Sequence, residues 1–286
     1  MSYADRRRRF RALLAGDACV HPGSVYDPLS ARIAEDLGFE IGMFAGSIAS
    51  LTVLGAPDII VVTLSEFAGQ IRRITRAGTI PLLVDADHGY GNALNVMRTV
   101  QELEVAGVAA LTIEDTLLPR AYGESKVQLL SRAEGLGKVK AALAARQDPA
   151  TVIVARTSAI AVTGLDDATA RAVAYTEAGA DALFFTGVTK TDELAAIHAA
   201  TPLPIIIGGS DGDFGGRDGM AKLGVRVALQ GHQPFMAAVQ ATYDTLKALR
   251  DGTAPKALTN QPSSALMKQL TRDAAYAQAT RDFLGG

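Results

Sequence analysis

Ile80-Pro81-Leu82-Leu83-Val84-Asp85-Ala86-Asp87-His88-Gly89-Tyr90-Gly91-Asn92 is the stretch on which the reading of this chain turns. Its first part is an unbroken apolar run, the pattern of a strand covered on both faces. At the end of that strand stand two carboxylates two residues apart, which point the same way because side chains alternate. Two glycines then let the backbone turn sharply and approach whatever is bound there. Adjacent carboxylates repel and are costly unless a cation sits near them. Hard oxygen donors without thiolates or a histidine cluster suit Mg²⁺, with Mn²⁺ as the alternative. A solvated strand-to-loop turn, where Asp and Gly are ordinary, is the plainer reading, and the motif alone does not separate the two.

Moving outward, the same grammar recurs: an amphipathic helical stretch, a glycine, then an apolar strand. It is seen at Ala34-Glu35-Asp36-Leu37-Gly38 before residues 39–45, and at Arg76-Ala77-Gly78 before 80–84. It returns at Glu104-Val105-Ala106-Gly107 before 109–113, at Thr176-Glu177-Ala178-Gly179 before 182–185, and at Lys222-Leu223-Gly224 before 225–229. Glycine just past a helix takes the left-handed conformation that ends it at low cost. With further strands at 151–155 and 203–207 and a first one near 18–21, the chain holds about eight β units, which predicts a closed (β/α)₈ barrel. An open doubly wound sheet is the alternative, but no G-x-G-x-x-G follows the first strand.

Length and composition agree. The 286 residues could make one large unit or two small ones, and 48% apolar residues can fill a large core. A net charge of −2 leaves no electrostatic footprint for nucleic acid. Arg6-Arg7-Arg8-Arg9 reads as the wet side of a first helix. One cysteine, Cys19, rules out an intrachain disulfide and suits a reducing compartment. No apolar stretch approaches the roughly 18 residues of a membrane span, and no signal-peptide pattern opens the chain, so a cytoplasmic protein is expected. No Pro-, Ser- or Gly-rich linker divides it. Residues 1–250 are read as the barrel and 251–286 as a helical tail of the same domain, with a helix over 264–283 that could pack on a partner subunit. Residues 116–132 read as a long loop, of the kind that is usually a lid or disordered.

Barrels carry their active sites where strands end and βα loops begin. Reading only those positions collects Ser47, Asp85, Asp87, Glu114, Asp115, Arg156, Ser210, Asp211 and His232. Together they form a rim for an anionic substrate and a divalent metal. Singly, each has an ordinary role: Glu114-Asp115 could cap a helix, Arg156 could pair with Asp87 or Glu114, and His232 could cap the helix starting near Pro234.

Phe44-Ala45-Gly46-Ser47-Ile48-Ala49-Ser50, the Asp85–Asn92 motif, Ile113-Glu114-Asp115 and Val154-Ala155-Arg156-Thr157 resemble the isocitrate lyase and phosphoenolpyruvate mutase superfamily, in the right order over nearly the whole chain. The resemblance implies that Asp85 ligates Mg²⁺ directly, with Asp58, Asp87 and Glu114 holding it through water. It implies that the backbone around Ser47 binds the carboxylate of a 2-oxo acid and that Arg156 contributes to the substrate site. It also implies a last helix swapped between subunits, in a homotetrameric dimer of dimers. The shared chemistry is chelation of a 2-oxo acid and stabilisation of the enolate formed when a bond at C3 breaks.

Within that superfamily the C–C lyases resemble one another in a loop motif like Lys-Lys-Cys-Gly-His. The corresponding loop here, residues 117–131, holds neither Cys nor His. The long runs at 85–100 and 111–119 are most similar to the oxaloacetate decarboxylase subgroup, as is His232 after Gly231. That resemblance implies Mg-dependent decarboxylation of oxaloacetate, or of a related 2-oxo acid, to pyruvate and CO₂, with Arg156 and His232 acting on the substrate. His232 would orient the departing carboxylate or support protonation. A lyase for a 2-alkylmalate or methylisocitrate-type acid, a phosphonopyruvate-type enzyme and a non-catalytic metabolite-binding barrel are the alternatives. One departure stands out: the subgroup has a Tyr just after its seventh strand, and residues 207–216 here have none, which bears on substrate identity.

Overall fold

The computed structural model describes residues 1–209 and 212–285. Eight strands form one parallel sheet in sequence order. They are β1 (Gly23–Ser24), β2 (Gly42–Phe44), β3 (Leu82–Asp85), β4 (Ala110–Glu114), β5 (Val152–Thr157), β6 (Ala182–Thr186), β7 (Ile205–Gly208) and β8 (Val225–Ala228). Val20 closes the ring against β8: its N–H donates to the Arg226 carbonyl and its carbonyl accepts from Ala228 N, both at 3.0 Å. The expected (β/α)₈ barrel is the architecture found. Strands β2, β3, β4 and β7 are buried throughout, which is why their sequences read as continuous apolar runs.

Several local expectations are corrected. The first strand was expected at 18–21, but the ladder there is the single Val20–Val227 bridge, and β1 begins only at Gly23. Pro22 stands between them and has no N–H to donate to a ladder. The glycines that end helices are left-handed at Gly38, Gly107, Gly179 and Gly224, with φ of 84°, 92°, 94° and 78°. Gly78 is extended instead. A Cβ there would stand 2.1 Å from Glu35 Oε2, whose carboxylate accepts from Thr79 N, so the glycine serves a close approach rather than a turn.

The arginine run is not all wet. Arg6 and Arg7 are buried. Arg6 donates to the Thr75 carbonyl at 2.6 Å; Arg7 donates to the carbonyls of Glu104 at 2.6 Å and Val108 at 3.1 Å and pairs with Asp148 at 2.8 Å. The helices Leu64–Ala77 and Ala93–Val105 end there, so the guanidinium groups satisfy carbonyls that have no partner within their own helix.

The tail forms two helices, Ser264–Thr271 and Asp273–Leu284, rather than one. The break is Arg272 at φ 61°, whose guanidinium reaches Asp36 at 2.6 and 2.7 Å while Leu270 buries beside it. The tertiary contact outweighs local helix continuity. The helix Gln233–Arg250, which follows β8, has no buried residue. Met236, Val239, Tyr243, Leu246 and Leu249 are exposed along it.

Candidate active site

The barrel's register lifts the acidic residues to one end. Asp85 is the last residue of β3 and pairs with Thr112; Glu114 is the last of β4 and pairs with Arg156 of β5. Register partners in a parallel ladder share a face, so Glu114 and Arg156 stand side by side. A cavity of about 650 Å³ opens at this end, and Ser47, Asp58, Asp85, Asp87, Glu114, Arg156 and His232 all line it. Asp115 does not line it. Its carboxylate accepts from Tyr175 Oη at 2.6 Å and Arg171 Nη1 at 2.9 Å, a buried network that caps no helix. Ser210 and Asp211 lie outside the described residues.

Arg156 pairs with both strand-end carboxylates. Its Nη1 meets Asp85 Oδ2, and its Nε lies 3.2 Å from Glu114 Oε2, near enough for an ion pair though not aligned as a hydrogen bond. Burial alone would lower the guanidinium's pKa, yet Asp85 and Glu114 hold it firmly charged. Asp85 also accepts from Thr112 Oγ1 at 2.7 Å and from Asp87 N at 3.2 Å. Of the two partners expected for Arg156, Glu114 is found, and the place of Asp87 is taken by Asp85.

The run after β3 is held in an unusual shape. Asp87 and Tyr90 are left-handed at φ 48° and 61°, a conformation that L side chains rarely adopt. Successive carbonyls are pinned: Ala86 O accepts from Gly89 N, Asp87 O from Glu114 N at 2.9 Å, His88 O from Lys138 Nζ at 2.8 Å and Gly89 O from Thr99 Oγ1 at 3.0 Å. Those bonds offset the backbone strain and aim Asp87 at the cavity. Gly46 makes room for it, since a Cβ there would stand 2.5 Å from Asp87 Oδ2. His88 packs inward, buried and outside the cavity lining, and its imidazole falls to about 4 through burial and the neighbouring Lys138.

The carboxylates outnumber their cations. Asp87 is pushed well above the ordinary carboxylate range by burial and then by Asp85, Glu114 and Asp58. Glu114 is raised by burial against the pull of Arg156, and Asp58, at the rim, by desolvation and Asp85. Among the described residues no three carboxylate, imidazole or thiol groups converge as a ready-made ligand set. The donor chemistry nevertheless fits a hard divalent cation. Four oxygen-donor side chains face one cavity with a single paired guanidinium among them, and an added positive charge relieves their repulsion.

His232 sits opposite, just ahead of the helix Gln233–Arg250, and its side chain caps nothing. Its Nδ1 lies 3.1 Å from Ser24 Oγ instead, and burial lowers its pKa, which favours the neutral ring. Ser24 also lines the cavity and was missed in the sequence because β1 was placed too early. Thr112 was missed too; its one signal is a lone hydroxyl inside the apolar run Ala110-Leu111-Thr112-Ile113. Arg120, on the loop after β4, is a further cavity residue that the strand-end rule cannot find.

A barrel with carboxylates on successive strand ends, a bridging arginine and a long loop that lends Leu118 and Arg120 to the cavity defines a class of enzymes acting on small anionic acids. The model of the family described as phosphoenolpyruvate phosphomutase matches residues 10–250. The chain belongs to that family, within the wider phosphoenolpyruvate mutase and isocitrate lyase superfamily. It is 60% identical over 284 residues to a Bradyrhizobium protein named oxaloacetate decarboxylase, covering 99% of each chain. Among solved structures it is similar to a phosphoenolpyruvate phosphomutase from Streptomyces platensis subsp. rosaceus, with a TM-score of 0.86, 28% identity and coverage of 97% and 99%. It is also similar to a phosphonopyruvate hydrolase in complex with oxalate and Mg²⁺, with a TM-score of 0.85, 30% identity and coverage of 99% and 100%. Among the described residues no helix is long and apolar enough to cross a membrane.

Proposed function

We propose that the protein is a carboxy-lyase that converts oxaloacetate to pyruvate and CO₂. The single observation that carries this reading is the cavity's makeup: an acidic wall, one neutral imidazole and no thiol, in a chain 60% identical end to end to a protein of that name. A C–C lyase of this superfamily is expected to carry a cysteine on the loop; residues 117–131 have none, and Cys19 does not line the cavity.

Asp85 would hold Mg²⁺ directly and Asp58, Asp87 and Glu114 through water, with Mn²⁺ as a substitute. When bound, the cation supplies a Lewis acid that polarises the keto group and stabilises developing negative charge on its oxygen. The backbone at Ser47 receives the carboxylate next to the keto group. Arg156, fixed by Asp85 and Glu114, presents its remaining N–H groups to the substrate. The C3–C4 bond then breaks, its electron pair moves toward the keto oxygen, and CO₂ leaves. No base is required for that step. C3 then takes a proton, and His232, neutral and oriented by Ser24, supports its delivery.

We also read residues 1–250 as the catalytic barrel and 251–286 as a tail at a subunit interface, in a cytoplasmic homo-oligomer assembled as a dimer of dimers. The uncovered apolar side of the helix Gln233–Arg250 supports a covering partner copy, with the last helix exchanged.

The experiment is release of CO₂ and pyruvate from oxaloacetate by purified protein with Mg²⁺, compared with Mg²⁺ alone and run beside a panel of other 2-oxo acids. Asp85→Ala should abolish the enzymatic rate, with Asp85→Asn as the shape-keeping control: Asn fills the same space and its one oxygen can still accept from Thr112 Oγ1, while the carboxylate oxygen that met Arg156 is lost. Full activity in Asp85→Ala would refute the metal assignment. Formation of glyoxylate or of a second acid without CO₂ would move the protein to the C–C lyases. Tight Mg²⁺-dependent oxalate binding with no turnover of any acid would leave a metabolite-binding barrel.

A further inference from the structure

Arg120 projects into the same cavity from the loop that follows β4, together with Leu118. The base of that loop is zipped shut. Leu117 N donates to the Gln128 carbonyl at 2.9 Å and Leu130 N to the Asp115 carbonyl at 2.8 Å. Arg171 ties both ends together, its Nη1 on Asp115 and its Nη2 on the Leu130 carbonyl at 3.0 Å. Arg120 therefore hangs from a fixed root over the cavity mouth.

The cavity holds two guanidinium groups, and they differ in one respect. Arg156 is committed to Asp85 and Glu114. Arg120 is exposed and has no ion pair or hydrogen bond among the described residues. The nearby loop carboxylate Glu124 is taken by Gln128 at 2.8 Å. With four carboxylates on its wall, the cavity repels a second carboxylate unless a free cation meets it. A 2-oxo acid bound by its carboxylate and keto oxygens spends those groups at the acidic wall. Its far end is left to face the mouth.

We infer that Arg120 is the specificity residue that receives the distal carboxylate of a four-carbon dianionic 2-oxo acid. This rests on the decarboxylase reading for the identity of the substrate, though not for the binding chemistry. The contact has a kinetic signature. The distal carboxylate is the group that leaves as neutral CO₂, so its ion pair is strongest in the bound substrate and fades as the C3–C4 bond breaks. Interactions stronger in the ground state than in the transition state tighten binding without raising turnover. Arg120 thus selects the substrate and does not accelerate the chemistry.

The test uses Arg120→Ala and Arg120→Gln in the full chain. With oxaloacetate, KM should rise roughly 10-fold, about what losing one charge-assisted contact at a partly wet site gives, while kcat holds or rises. Calorimetry on the Mg²⁺-loaded protein gives a readout that needs no turnover. Malate, a four-carbon dianion with a chelating head, should bind roughly 10-fold more weakly to both variants, whereas oxalate, which has no distal arm, should bind as before. Equal weakening of malate and oxalate, or no weakening of malate, would overturn the assignment, as would a fall in kcat with KM unchanged. A wild type that binds malate through Arg120 but leaves oxaloacetate intact would sink the decarboxylase reading and leave this one standing.

Discussion

Ser24 Oγ and His232 Nδ1 stand 3.1 Å apart across the seam between β1 and the loop after β8, joining residues 208 positions apart in sequence. A hydroxyl on one ring nitrogen decides which tautomer the other presents. If Ser24 donates to Nδ1, Nε2 carries the proton. Ser24→Ala should then lower kcat roughly threefold to 10-fold with little change in KM, and Ser24→Thr should keep most of it. Steady-state kinetics checks this; equal rates for Ser24→Ala and the wild type would remove Ser24 from the mechanism.

Gly46 lets Asp87 approach the turn after β2. A Cβ at position 46 would meet Asp87 Oδ2, Oδ1 and Cγ at 2.5, 2.6 and 2.8 Å. Gly46→Ala should push that carboxylate aside and weaken Mg²⁺ or Mn²⁺ binding by roughly 10-fold or more. The melting temperature should change little. Calorimetric titration with Mn²⁺ reads it, and an unchanged affinity would show that Asp87 does not serve the cation.

The apolar side of the helix Gln233–Arg250 is where the proposed subunit contact is tested. Leu246→Glu, at a residue 62% exposed in the single chain, should shift the protein to a smaller species in light scattering. A wild type that is already monomeric at micromolar concentration would contradict the assembly.

Cys19 is 5% exposed, and burial pushes its thiol up to about 11, so almost no thiolate exists at neutral pH. Iodoacetamide at pH 8 should leave native protein unlabelled and active, and label it after denaturation. Native labelling with matching loss of activity would bring a thiol acid back into the mechanism.

Asp148 holds Arg7 at 2.8 Å, and that hydrogen bond keeps its carboxyl below the ordinary 3.8 in the folded state. The sign follows from linkage. Stability from this pair is complete above the unfolded value and is lost as pH falls through the lowered folded one. Asp148→Asn should therefore cost roughly 1–2 kcal/mol at pH 7, and the gap from wild type should close below about pH 3.8. Urea unfolding at pH 7, 5 and 3.5 measures it; a gap constant across that range would argue against the pair.

Much of the site was legible because its members obey local rules. Asp85, Glu114, Arg156 and His232 follow apolar runs and so mark strand ends whatever the helices between them do. The arginine run and the tail were misread because their states depend on distant groups. Arg6 and Arg7 bury because the carbonyls of Thr75 and Glu104, at helix ends 69 and 97 residues away, are placed to accept from them. Arg272 leaves helical geometry only because Asp36 is there to hold it.

The chain's own pattern determined the barrel, the acidic turn at Asp85 and the absence of a loop cysteine, since burial period, glycine turns and residue identity are written one position at a time. Only the tertiary structure decided that Arg156 belongs to Asp85 and Glu114, that Ser24 holds His232, and that Arg120, of the two arginines lining the cavity, has no ion pair or hydrogen bond among the described residues. Pairing depends on which strands become neighbours and how their register is staggered, and no local segment carries that information.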